Sequence, residues 1–190
     1  MSQYPGGAEA YRLRVRVETT LPEATPEQVH DAGLRAIASI DSQMTRIRDS
    51  LGFRGTRDEF HARLMKDPRF YEATSDAVGR RFMTSIDRLR PLIDRYFLRR
   101  PRTPYGVRRL DPALEPTLTY GYYTPGRAVG DSGFYNFNGS RLDQRSLLEG
   151  AAIIYHELVP GHHFQINLAA ENAALPALRQ ALYYPGFAEG

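Results

Sequence analysis

Apolar residues recur at Val29, Leu34, Ile37, Ile40, Met44, Ile47 and Leu51, close to the period of an α-helix. Thr25-Pro26-Glu27-Gln28 in front of them is a capping box with proline at the first helical position, and Gly52 behind them is a stop signal. Thr56-Arg57-Asp58-Glu59 is a second capping box, opening a short helix that contains Phe60 and Leu64. A third helix is predicted from Ser75 through Phe82, Ile86 and Leu89, with Pro91 kinking or splitting it before Leu92–Phe97. The pattern changes after Arg99. Pro101, Pro104, Pro112 and Pro116 exclude a helix, and three short runs read as strands: Val107–Leu110, Leu118–Tyr123 and Phe134–Asn138. Period-two alternation puts Phe134, Asn136 and Asn138 on one face of the last strand, and Tyr135 and Phe137 on the other. A helix resumes near Arg141, with Leu147, Leu148, Ala151, Ile154, Tyr155 and Leu158 spaced for burial.

The expected fold is therefore mainly α with a small antiparallel β-sheet, an α+β arrangement. A helical region covers 1–100, a small sheet region 101–140 and further helices 141–190, all in one domain. With 190 residues, 42% of them hydrophobic, the chain is long enough for one well-filled core. There is no cysteine, which excludes a disulfide framework, a thiolate metal site and a cysteine nucleophile. No apolar run approaches membrane-spanning length, so no span is expected. The opening MSQYPGGAEA lacks a basic-then-apolar leader pattern. The formal charge is +3, and Lys66 is the only lysine. Most arginines alternate with acids. Arg99-Arg100-Pro101-Arg102 is the one dense basic cluster, and no nucleic-acid partner is expected.

The chemistry is concentrated in His156-Glu157-Leu158-Val159-Pro160-Gly161-His162-His163. A helix bearing His-Glu after an apolar run is the zinc-peptidase arrangement, in which the histidine ligates and the adjacent glutamate serves as base toward water. The usual second histidine falls four residues on, where this chain has Pro160. On an unbroken helix His162 is rotated about 600° from His156 and faces away, whereas His163 returns to the same face about 10.5 Å further along. Two nitrogens sharing one zinc stand only about 4 Å apart, so a straight helix suits neither residue. Pro160 and Gly161 make a straight helix untenable. A bulge there brings His162 back to the place of the missing ligand, with His163 as the alternative. The third ligand is expected downstream, at Glu171 or Glu189. Glu189 is preferred because Tyr184-Pro185-Gly186 signals a turn and a new helix before it. Gly130-Asp131-Ser132-Gly133 mimics a serine-protease loop, but is read as a Gly-rich turn. His30 and His61 lie among charged residues and read as exposed.

HELVPGHHFQ resembles the HExxPGHHxQ signature of the domain-of-unknown-function 885 family, bacterial metallopeptidase-like proteins of the gluzincin type. The closing FAEG is similar to the family's F-x-E-G-W segment, ending before the tryptophan. The likeness extends to PEQVHDAGL, DEFHARLMKDPRFY, TPYGVRRLDP and GFYNFN. It implies a mostly helical, zincin-like peptidase fold, with a small sheet beside the active-site helix. It also implies His156 and His162 as zinc ligands, Glu157 as general base and Glu189 as third ligand. Peptides are the implied substrates. Asn136 and Asn138 are candidate substrate contacts if the Phe134–Asn138 strand pairs with an extended peptide. Family members are longer at both ends, so the chain reads as an internal or truncated segment, with weak zinc affinity and activity expected. The rival expectation is a non-catalytic helical interaction protein that retains the motif.

Overall fold

A computed structural model describes residues 3–126, 130–181 and 184–189. It divides the chain into two units. The first comprises residues 1–62 and 183–190, and the second residues 63–182.

In the first unit, α1 (Gly7–Thr19) and α2 (Pro26–Ser50) pack against each other. The capping box forms as expected: the Gln28 N–H donates to Thr25 Oγ1 at 3.2 Å and the Thr25 N–H to Gln28 Oε1 at 3.0 Å. The second box opens α3 (Arg57–Leu64), with the Thr56 N–H donating to Glu59 Oε2 at 2.7 Å. The sequence gives no distinct signal for α1, which begins after Gly6, a residue with φ of 71°. None of the α2 side chains is buried. Its apolar stripe, Val29 to Leu51, is 45–66% exposed. Helical period specifies that a face exists, but not what covers it.

The second unit holds the apolar core. In α4 (Ser75–Tyr96), Val78, Phe82, Ile86 and Ile93 fall on one buried face. The cap is Thr74 rather than Ser75, and the helix runs through Pro91 without splitting. Proline at that point removes one backbone donor, a cost that packing of Ile86 and Ile93 offsets. Three strands follow: β1 (Tyr105–Arg109), β2 (Gly121–Thr124) and β3 (Gly133–Phe137), in the order β1-β3-β2. The sheet is mixed and not antiparallel throughout. β2 pairs antiparallel with β3, but β1 pairs parallel, Val107 opposite Tyr135. β2 lies between β1 and β3 in sequence but is not between them in the sheet; the chain forms both edge strands before it returns to the centre. Tyr135 and Phe137 point to the core as alternation predicts, Phe82 meeting the Tyr135 ring edge-on at 5.4 Å.

Beyond the sheet come α5 (Gly150–Glu157), α6 (His162–Ala170) and α7 (Ala177–Ala181), while the short α8 (Pro185–Ala188) belongs to the first unit and rests on α1. Ile154 and Leu158 of the α5 end, Val159 and Phe164 complete the core. No helix among the described residues is long and apolar enough to cross a membrane.

Candidate metal centre

The junction between α5 and α6 decides where the histidines stand. The last α5 hydrogen bond runs from the Leu158 N–H to the Ile154 carbonyl at 2.9 Å. The chain then folds back over the helix end, and the Gly161 N–H donates to the Tyr155 carbonyl at 3.0 Å. A Cβ at Gly161 would overlap the carbonyl of His156, so only glycine permits this approach. The Val159–Pro160 peptide is cis. A new helix starts at His162. The break absorbs the two extra residues of the motif and sets the His156 and His162 rings 4.4 Å apart, centre to centre. This is the outcome expected of a Pro-Gly bulge and excluded for a straight helix. His156 is exposed and His162 partly buried, so an ion could approach both.

Glu157, on the last turn of α5, is partly buried. Its Oε2 accepts the backbone N–H of Tyr123 at 3.0 Å. Tyr123 lies on β2, an edge strand, and the carboxylate satisfies a donor that no neighbouring strand serves. Burial, followed by the Glu157 charge, pushes the Tyr135 hydroxyl pKa upward, so that phenol stays protonated beside the carboxylate.

His163 has a different task. It is fully buried, with Nε2 3.0 Å from the Thr103 carbonyl and Nδ1 2.9 Å from the Tyr123 hydroxyl. A carbonyl only accepts, so Nε2 carries the proton and Nδ1 accepts from Tyr123. Burial lowers its pKa and keeps it neutral. Asn167, one turn on, donates to the Tyr123 hydroxyl at 3.0 Å and to the His163 carbonyl at 2.8 Å. Both His163 nitrogens are committed, which removes it as the alternative ligand. Glu171 is removed in the same way. Its carboxylate accepts the N–H groups of Arg102 and Thr103 at 2.9 and 3.0 Å and the Thr103 hydroxyl at 3.0 Å. Those donors, the Arg102 N–H foremost, hold its pKa down at about 2. Tyr123, Asn167 and Thr103 had no sequence signal as supports of this region, apart from Asn167 standing one helical turn after His163.

Glu189 follows the turn signal as expected, but α8 ends at Ala188 and leaves Glu189 at its C-cap, where its N–H donates to the Pro185 carbonyl at 2.9 Å. Its side chain is exposed. Within the second unit, His156 and His162 stand close enough for one ring nitrogen of each to share a metal ion. Two imidazoles and one carboxylate suit zinc, with room left for water and substrate, and the same donors also suit other divalent ions.

The expectation for the Phe134–Asn138 strand needs correction. β3 is the central strand, so no peptide can add to its edge. Asn136 is buried, donating to the Thr124 hydroxyl at 2.8 Å and accepting from Arg108 Nε at 2.6 Å. Asn138 is buried and donates to the carbonyls of Glu115 and Leu118 at 2.7 and 2.6 Å. Asn136 ties the three strands together and Asn138 ties the end of β3 to the Glu115–Leu118 segment, so the hydrogen bonds of both amides are spent inside the protein. His30 and His61 are exposed, as expected. Gly130 has φ of 95°, in keeping with a Gly-rich turn. In the basic cluster, Arg100 pairs with Asp94 at 3.1 Å and Arg102 with Glu171 at 3.2 Å.

The family model described as bacterial protein of unknown function (DUF885) matches residues 2–190. The chain belongs to the DUF885 family. This DUF885 chain is also similar to a solved structure, the crystal structure of the putative lipoprotein from Colwellia psychrerythraea, with a TM-score of 0.86 and 27% identity. The match covers 97% of this chain and 32% of that one, so the DUF885 chain spans about a third of the neighbour's length. None of the curated proteins compared matches the chain.

Proposed function

We propose that the site is that of a metal-dependent hydrolase acting on peptide bonds, with His156 and His162 holding a divalent ion, zinc by preference, Glu157 as general base and Glu189 as the third ligand that the family resemblance implies. The observation that carries this reading is the break at Gly161. It sets two imidazoles 4.4 Å apart beside a glutamate whose own position is fixed by a backbone donor. A bound zinc ion supplies Lewis-acid chemistry, polarising a carbonyl and acidifying water. Glu157 accepts the proton of the attacking water at a carboxylate oxygen and passes it to the departing amine.

The test starts with zinc titrated into the metal-stripped protein. One zinc per chain is expected, lost in His156→Ala and in His162→Ala and retained in Glu157→Gln. Cleavage of a quenched fluorescent peptide library should fall at least about a hundredfold in Glu157→Gln, the usual contribution of a positioned general base. No zinc uptake, or uptake that ignores both histidine substitutions, overturns the reading. The exposed apolar stripe of α2 favours a second reading, a helical interaction protein that keeps the motif without turnover. Self-association that is lost on Ile40→Glu, together with absent zinc uptake, supports that one.

A further inference from the structure

We propose that a groove along α4 binds a small amphipathic anion, a carboxylate or phosphate carried on an apolar body. Arg80, Thr84 and Arg88 follow one another at four-residue intervals and so share a face of α4. All three border a cavity of about 590 Å³ between α4 and the start of α5. Arg81 borders it too, but its charge is taken: Nη1 donates to the Arg69 carbonyl at 2.7 Å and pairs with Glu72 at 3.1 Å. Glu72 is the acid that lines the cavity, and Arg81 already neutralises it. The guanidinium groups of Arg80 and Arg88 make no hydrogen bond or ion pair among the described residues. The groove therefore holds two uncommitted cations.

Geometry lets them act together. Eight residues of helix place the two Cα atoms about 12 Å apart, with Thr84 about 6 Å from each, roughly the length of an arginine side chain. An anion held over Thr84 lies within reach of both forks, and a guanidinium fork suits the two oxygens of a carboxylate or phosphate. The α5 N-terminus adds little to the field. Gly150 and Ala151 line the cavity; the Gly150 N–H is bonded to the Leu147 carbonyl and Glu149 stands at the N-cap, so the helix end adds at most a minor positive contribution through the Ala151 N–H. The apolar part of the lining is supplied by Phe70, Phe82, Leu147 and Leu148. A bare inorganic ion leaves that wall uncovered, whereas an acid with a short hydrocarbon body covers it. The proposal uses none of the residues proposed to hold metal.

Calorimetric titration of the whole chain with octyl phosphate, octanoate and inorganic phosphate tests it. Saturable binding of octyl phosphate or octanoate is expected, with inorganic phosphate at least tenfold weaker. The Arg80→Gln/Arg88→Gln double variant should lose at least tenfold in affinity. Both side chains are exposed, so the variant folds, and unchanged circular dichroism verifies that. Arg35→Gln on α2, which removes a charge elsewhere, should bind as the parent does. Preference for octanoate over octyl phosphate identifies a carboxylate ligand, and the reverse order a phosphate ester. No saturable binding, equal binding by inorganic phosphate and the octyl ligands, an unaffected double variant, or an equal loss in Arg35→Gln overturns the proposal.

Discussion

α2 and α4 carry apolar residues at the same helical spacing, yet their fates differ. α4 buries Val78, Phe82, Ile86 and Ile93 against β3 and α5, while α2 leaves Val29, Leu34, Ile37, Ile40, Met44, Ile47 and Leu51 in the open. Caps do not explain the difference, because both helices have a threonine N-cap that accepts a backbone N–H. The partner does. α4 is followed in the chain by a sheet whose alternation presents Tyr135 and Phe137 to it, and by α5 with Ile154. Local sequence decides that a helix forms. The rest of the fold decides whether its stripe contributes to stability.

Substitutions along the two stripes sharpen this contrast. Phe82→Ala should show the largest effect. It removes a ring packed against Tyr135 and Phe137, at a cost of about 3–5 kcal/mol, read as a collapse of the urea midpoint. Gly161→Ala comes next. The new methyl overlaps the His156 carbonyl, so the α5–α6 turn must open, costing about 2–4 kcal/mol by analogy with other strained backbone sites. Zinc uptake should fall with it, whereas Gly33→Ala in α2, where a Cβ meets nothing, should leave zinc uptake unchanged and stabilise the helix by about 0.5–1 kcal/mol.

Glu171→Gln should cost about 1–2 kcal/mol, through weakened hydrogen bonds to a charged acceptor. The guanidinium of Arg102 contributes little of that, since it is largely exposed, whereas the Arg102 N–H is the leading donor. The effect has a pH signature. The carboxylate titrates at about 2 in the fold, against 4.5 ordinarily, so its stabilisation is complete above pH 4.5. It drains away as pH falls from 4.5 towards 2, and the stability gap between parent and variant should close over that window. Ile40→Ala in α2 should be smallest, within about 0.5 kcal/mol, because an exposed side chain loses no packing. A cost like that of Phe82→Ala would show that α2 is covered in solution.

The helices and the break at Pro160-Gly161 were legible from the sequence because their causes are local. Capping boxes act over three residues, and glycine and proline act on their own dihedrals. The choice of His162 over His163 was half legible: the chain predicts a bulge, but only the fold shows His163 held by Thr103 and Tyr123 from 60 and 40 residues away. The reading of Asn136 and Asn138 failed for the same reason. Strand order is a long-range property: the parallel pairing of β1 makes β3 central, and residues of the flanking strands and loops cover both amides. Glu171 looked like a ligand because it is an acid near histidines. Its partners, Arg102 and Thr103, are 69 and 68 residues away.

Tyr123 is joined to two helices at once. Its main chain is tethered to Glu157 at the end of α5, and its phenol to His163 at the start of α6. Each contact is one residue from a histidine of the facing pair. The two helix ends that carry the facing imidazoles thus share a single reference point, one residue of a three-stranded sheet.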